Sequence, residues 1–532
     1  METVEDVRPR AAERPALPPL RVVALLLALV CAVIGVVGLA TADRGIERHS
    51  AVVAGVPLEV ARPARTTGRL PGVVVAHGLA ASRQLMRGFA DTLARRGYAV
   101  ELVDLAGHGA STDRLPDAGD GPAADARLDR DLDVAVGHLR AMPWVDAARI
   151  GLLGHSMGAA AVLRYAAVHP AIRATVSISQ GPTWAGPAVR PRNLLLLAGG
   201  LEFTGFRDGA LGALRAAYPQ ARTGVTYGDP RAGTARRAVI VPDVEHVSVL
   251  FSPRTHREVA TWFDGSLGGS SAGAPHEAAV RPVWRAGSAM LLHLAAVLSF
   301  GAIAAAVLRR PPAPDRERRR APLPLVLGVP VGAVLTAVPV MAVVPRGLLP
   351  LAVAAPVGGF FGVIGVLLLA TALLAGRTDV THDGDGRSWT ATAAATVVLV
   401  ALTVVSFAVP AQLGWAHAVP VGVRAWALLP ITACAAAFFG GIEALCRGYD
   451  RRGAIMIHAW IAGGALAGLG VAVLVGAASS FVLLVAPLLA GLLIWQGVQA
   501  AALRAVRAPA WLTAVVGGVL LAWPIAVTMP IA

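Results

Sequence analysis

Reduced to apolar and polar positions, the chain has four textures. Residues 22–40, VVALLLALVCAVIGVVGLA, form an unbroken apolar run long enough for a helix that crosses a bilayer. It follows a polar tail, residues 1–21, and the spacing predicts an anchor helix over 22–41. A cleaved signal peptide is the competing reading, with Ala40-Thr41-Ala42 as its cleavage site, but the run is long for a signal core. From 46 to 265 the pattern breaks into short β-branched runs alternating with longer helical stretches, which predicts a parallel sheet with crossover helices. Residues 266–286 are Gly- and Ser-rich, without periodicity, and read as a linker. The remainder, 287–532, divides into eight apolar spans near 287–308, 322–344, 348–375, 391–413, 423–445, 455–477, 479–503 and 510–531.

Composition supports the membrane reading. Of 532 residues, 55% are hydrophobic and 15% charged, where a soluble chain carries about 25% charged residues. All 47 basic residues are arginine and the net charge is +14. Nucleic acid is excluded as a partner by where that charge lies. Residues 46–265 hold 25 Arg against 20 acidic residues, and most of the excess sits in short loops between apolar spans.

Those loops also predict an orientation. With the N-terminal tail inside, the inner loops hold Arg309, Arg310, Arg316, Arg318, Arg319, Arg320, Arg377, Arg387, Arg447, Arg451, Arg452, Arg504 and Arg507. The outer loops keep Arg346 and Arg424, with Arg281 and Arg285 beside the linker. Arginine enriched on the cytoplasmic side places 46–265 outside the cytoplasm. The three cysteines, Cys31, Cys434 and Cys446, lie in or beside apolar spans, so residues 46–265 offer no thiol nucleophile and need no disulfide.

Chemistry concentrates in RIGLLGHSMGAAAVLRYAAVHP, residues 149–170. An apolar run leads into Gly154-His155-Ser156-Met157-Gly158, and a helix-forming stretch follows. Strand, sharp turn and helix would hold the Ser156 hydroxyl above a sheet edge, and the glycines would let the turn close. In a chain with 58 glycines the pentapeptide alone also fits plain Gly/Ala packing.

Four further segments make the region resemble the α/β-hydrolase superfamily over residues 46–265. PGVVVAHGLAAS (71–82) resembles the family's first buried strand and its His-Gly turn, here His77-Gly78. The resemblance implies an oxyanion hole from the backbone N–H groups of Leu79 and Met157. GYAVELVDLAGHGAST (97–112) is similar to the next strand and its Gly-His-Gly turn, in which His108 shapes the rim. RNLLLLAGGLE (192–202) ends in Glu202 where the family usually has Asp, with Asp208 as the alternative acid. RAVIVPDVEHVSVLF (237–251) carries His246, and SPRTHREVATWF follows as a last helix with Ser252 as its cap.

The order Ser156, Glu202, His246 is the family's order of nucleophile, acid and base. His155, within the elbow, reads as packing, and His49, His138, His169 and His256 as surface residues. The implied architecture is a doubly wound, mostly parallel α/β-hydrolase-like sheet fused to an all-α transmembrane bundle. The resemblance implies a serine hydrolase acting on a carboxylic ester through an acyl-enzyme, with no metal and no cofactor.

The chain from Ser177 to Asn193 is too short for a full helical cap, which predicts an open site with Trp184 near it. An open site tethered to a bilayer suits a lipid- or envelope-linked acyl ester. Two other readings remain: a non-catalytic binding or sensing domain attached to a transporter or scaffold, and a peptidase or amidase on the same fold. Within the spans, His293, Gln412, His417, His458, Gln496 and Gln499 form no pair at a usable spacing. FFGGIEALCRG (438–448) faintly resembles the Glu-Glu-X-X-X-Arg motif of CAAX-protease-like membrane proteins. Ile442 replaces the first Glu, which leaves Glu443 and Arg447 as an interfacial i, i+4 pair.

Overall fold

In the computed structural model the described residues are 19–66, 68–116, 121–181, 190–268, 281–308, 320–375 and 389–532. The predicted linker lies largely outside them, as do Trp184 and most of the arginines between 309 and 387.

The first helix, α1 (Pro19–Ala42), covers the predicted anchor and leads into a hairpin. Strands β1 (Ile46–Val53) and β2 (Val56–Pro63) pair antiparallel with Val53 opposite Val56. The two residues between them, Ala54 and Gly55, both have positive φ, the turn whose twist matches that of the paired strands. Six more strands follow: β3 (Leu70–Ala76), β4 (Ala99–Val103), β5 (Val145–His155), β6 (Ile172–Ile178), β7 (Leu194–Gly199) and β8 (Arg236–Val241). Their spatial order is β1-β2-β4-β3-β5-β6-β7-β8. From β4 to β8 every pairing is parallel.

Crossover helices cover both faces: α2 (Arg87–Arg95), α3 (Pro122–Ala141), α4 (Met157–Val168), α5 (Thr204–Ala217) and α6 (Pro253–Leu267). Alternate residues of one strand therefore enter different cores. Val73 and Val75 pack with Phe89 of α2 and Phe263 of α6, whereas Val74 and Ala76 pack with Leu132 of α3 and Val162 of α4. Burial on both faces is why this strand reads as a continuous apolar run. The strand order reverses between β3 and β5, with β3 leading to β4 on one side and β5 to β6 on the other, which leaves a crevice at their carboxyl ends, the usual ligand position in open α/β sheets.

The remaining helices are α7 (Trp284–Leu308), α8 (Leu323–Val343), α9 (Ala354–Leu374), α10 (Trp389–Gly414), α11 (Val423–Cys446), α12 (Arg451–Leu474), α13 (Phe481–Ala505) and α14 (Ala510–Thr528). With α1 they make nine helices, among the described residues, long and apolar enough to cross a membrane. The predicted start of the sixth span moves. Arg451 and Arg452 belong to the first turn of α12, where the Asp450 carboxylate caps the helix through the Gly453 N–H at 3.0 Å.

α1 packs along α7. A methyl group on Gly38 would lie 2.0 Å from Ser288 Oγ, and one on Gly35 2.7 Å from Leu292, so small residues set the helix separation. Glu443, which the sequence pairs with Arg447, is buried and also accepts from Arg504 of α13.

The carboxyl edge of the sheet faces the bundle. Arg424, fully buried at the start of α11, donates to the Gly107 carbonyl at 2.5 Å, Met529 at 3.2 Å and Ser111 at 3.4 Å. The Ile531 N–H also donates to the Gly107 carbonyl, and Leu115 N–H to the Ile531 carbonyl. The His417 N–H donates to Ser82 Oγ at 2.9 Å. At the side, Arg285 of α7 joins Asp43 and Asp91, and Arg87 joins Glu59 and the Gln412 carbonyl. Ion pairs and hydrogen bonds thus seat the α/β unit against the helices.

Candidate active site

β5 is the central strand, and the turn at its end puts Ser156 over the crevice. Ser156 has φ 54° and ψ −117°, a conformation costly for any residue with a Cβ and held only by its surroundings. Those surroundings explain both glycines. A Cβ on Gly154 would sit 2.1 Å from the Gly158 carbonyl oxygen, and one on Gly158 would sit 2.5 Å from that of His77. The elbow can close against the β3 turn only with hydrogen at both places.

Three side chains converge there from separate strands. His246 follows β8, and its Nε2 lies 3.0 Å from Ser156 Oγ. Its Nδ1 lies 3.2 Å from Glu202 Oε1, at the end of the loop after β7. The two loops are joined by their backbones: Leu201 N–H donates to the Val244 carbonyl and Gly200 N–H to that of Val241. A Cβ on Gly199 would lie 2.4 Å from the Val244 oxygen, which accounts for glycine before the acid. The His246 ring lies between Phe206 and His155, with centroids 4.6 and 4.9 Å away. Asp208, the alternative acid, is exposed on α5, while the carboxylate bonded to His246 belongs to Glu202.

Ser179 was not anticipated. It follows β6 at φ 56°, and its hydroxyl donates to Glu202 Oε1 at 2.5 Å. No motif marks it, because only the adjacency of β6 and β7 brings it to the acid.

Leu79 and Met157 both border the space in front of Ser156. Met157 opens α4, so its N–H is among the helix's unpaired first donors. The Leu105 N–H donates to His77 Nε2 at 3.2 Å, and His77 Nδ1 lies 2.8 Å from the Gly78 carbonyl, so the proton sits on Nδ1. That ring holds the His-Gly turn against the next strand. Burial depresses the pKa of His77, and those of His108 and His155 fall well below the ordinary histidine value for the same reason.

His155 Nε2 lies 2.9 Å from the His246 carbonyl, so the elbow histidine packs as expected and also ties down the base's loop. His108 bonds the Ala106 carbonyl within a buried turn. His256 departs from expectation. It is fully buried, bonded to Thr92 and the Leu250 carbonyl, and stacked on Phe89. Ser252 precedes α6 as its cap residue, but its hydroxyl makes no capping bond.

The expected open site has a wall that the Ser177–Asn193 interval did not predict. Ser156, His155 and His246 face a cavity of about 1490 Å³ whose far wall is the bundle of long apolar helices. Ordinary small-molecule pockets hold about 300–1,000 Å³. The cover comes from helices far along the chain, which no local reading of the Ser177–Asn193 interval could supply.

The family model described as "Serine aminopeptidase, S33" matches residues 71–224, from β3 past Glu202 and short of His246. The curated proteins contain no match. Among solved structures, a Pseudomonas aeruginosa protein described as hypothetical is 16% identical, covering 42% of this chain and 94% of its own, with a TM-score of 0.33. A dienelactone hydrolase from Anabaena variabilis is 21% identical, covering 42% of this chain and 99% of its own, with a TM-score of 0.32. The sheet order and the family match identify an α/β-hydrolase-like fold joined to a region of long apolar helices.

Proposed function

We propose that this chain is a membrane-embedded serine hydrolase that cleaves a carboxylic ester, borne by a lipid or another envelope component, through an acyl-enzyme. The reading rests on one observation: the hydrogen-bonded chain Ser156–His246–Glu202 opens on a cavity large enough for such a substrate. A binding or sensing domain needs no such trio.

Ser156 Oγ attacks the ester carbonyl carbon while His246 Nε2 takes its proton. The carbonyl oxygen becomes an oxyanion facing the backbone N–H groups of Leu79 and Met157, and such preset donors lower the barrier by several kcal/mol. Glu202 accepts from His246 Nδ1 and stabilises the imidazolium, with Ser179 holding the carboxylate in place. Collapse breaks the carbon–oxygen bond, the imidazolium returns its proton to the departing alcohol, and Ser156 is left acylated. Water, deprotonated by His246, then attacks the acyl-enzyme, and the imidazolium returns that proton to Ser156 Oγ as the bond to the acyl carbon breaks and the acid leaves.

The aminopeptidase description of the matched family favours a second reading, amide cleavage on the same residues. An aminopeptidase must bind a substrate ammonium, for which a carboxylate is the natural partner. Among its described lining residues the cavity has Arg114 and Arg346 but no Asp or Glu. Esters of neutral or anionic amphiphiles suit it better. The arginine asymmetry of the loops supports a position of the α/β unit outside the cytoplasm.

Labelling native membranes with a fluorescent fluorophosphonate tests the proposal. Labelling of the wild type that disappears in Ser156→Ala is the expected result. A folded wild-type protein that does not label would overturn it in favour of the binding-domain reading.

A further inference from the structure

The cavity in front of Ser156 does not end at the domain boundary. Its wall continues along α13 through Phe481, Leu484, Leu488 and Leu492. The last three recur at every fourth position, so they share one face of the helix. From Phe481 to Leu492 is eleven residues, about 16 Å at the α-helical rise. One leaflet's share of a bilayer's hydrocarbon is about 15 Å. The lining is also zoned. Its charged and hydroxyl side chains outside the catalytic group lie at loop level or at a helix end: Arg114, Arg346, Ser479, Ser480 and Thr528. Deeper positions on α7 and α13, Met290, Leu488 and Leu492 among them, are apolar.

We infer that the transmembrane bundle is the acyl-chain subsite of the hydrolase, and that its substrates are long-chain acyl esters of membrane amphiphiles. The inference rests on the serine-hydrolase reading above and adds where the chain goes. The scissile carbonyl sits at Ser156, the polar alcohol part stays at loop level beside Arg114 and Arg346, and the hydrocarbon runs down α13 toward Leu492. Continuity with the nucleophile commits the corridor to this occupant. An extended protein segment lying there would leave its backbone polar groups without partners among the leucines.

A chain arriving from the bilayer leaves one apolar medium for another, so the corridor selects by length and shape rather than by hydrophobic gain. A chain arriving from water does gain, about fourfold per buried methylene. Water-soluble esters therefore expose the subsite most clearly.

The test uses the full chain in lipid nanodiscs with p-nitrophenyl acetate, butyrate, octanoate and dodecanoate. Leu488→Trp and the milder Leu488→Phe plug the corridor about 10 Å below Phe481. For the wild type, kcat/KM is expected to rise with chain length. In both variants acetate and butyrate should be cleaved within about twofold of wild type, which also reports folding. Dodecanoate should lose about tenfold or more, octanoate less. Variants that keep the wild-type chain-length profile would overturn the subsite while leaving the serine hydrolase standing. Absence of Ser156-dependent turnover and labelling in the wild type would overturn both.

Discussion

Glu202→Gln keeps the size of the acid and removes its charge. In the resting site the carboxylate oxygen lies 3.2 Å from His246 Nδ1, and the Glu202 side chain is fully screened from solvent. Once His246 has taken the Ser156 proton, the pair is a carboxylate beside an imidazolium. At 3.2 Å and an effective dielectric of about 20, that attraction is about 5 kcal/mol. Because the imidazolium forms along the reaction coordinate, the loss falls on the barrier, and 5 kcal/mol corresponds to roughly 10³- to 10⁴-fold in rate. A glutamine that turns its NH₂ toward Nδ1 also imposes the wrong tautomer on the base. The assay is the second-order rate of fluorophosphonate labelling in nanodiscs, with Asp208→Asn as the comparison. Glu202→Gln should slow labelling by the stated factor and Asp208→Asn should change it less than about twofold. Retention of Glu202→Gln within tenfold of wild type, or a loss that follows Asp208→Asn instead, would refute the assignment of the acid.

Two further consequences concern stability. Arg424→Met leaves the Gly107, Ser111 and Met529 carbonyls without their buried cationic donor, and such bonds are worth about 1.5–3 kcal/mol each. A lower melting temperature in nanodiscs is expected, with a net cost of about 3 kcal/mol; an unchanged melt would show that the clamp is not holding the α/β unit to the bundle. His256 gives a pH dependence, because burial pulls its pKa from 6.5 down to about 4. The unfolded chain therefore takes up this proton first. The contribution is full above about pH 6.5 and is lost as pH falls toward 4, about 3 kcal/mol across the window. His256→Gln should flatten the fall of melting temperature below pH 6.5, and an equally steep fall in the variant would contradict the reasoning.

Much of the molecule was legible from the residues alone, where the governing constraint is local. An apolar run of bilayer length reads as one long helix, so α1 and α7 to α14 were visible as helices long and apolar enough to cross a membrane, with errors of a few residues at ends such as that of α12. The β5–Ser156–α4 turn was visible because its glycines are close to the serine in the chain and are required by contacts within the turn. The order of serine, acid and histidine made Glu202 and His246 candidates, and the structure brings both side chains together with Ser156. What escaped was set by distant contacts. His256 looked like a surface residue because a single histidine on α6 carries no sign of the Phe89 and Thr92 that enclose it. Ser179 has no motif, since its partner belongs to the neighbouring strand.

The larger omission was the cover of the site. Sequence by itself determined that a sheet with a serine elbow is joined to a set of membrane-length helices, because hydrophobic periodicity and turn chemistry act over a few residues. Only the tertiary structure decided that the sheet's carboxyl edge turns toward those helices and that Ser156 opens between them. That choice is made by contacts such as Arg424 with Gly107, 317 residues apart, whose energy depends on burial and geometry that no short stretch of chain contains.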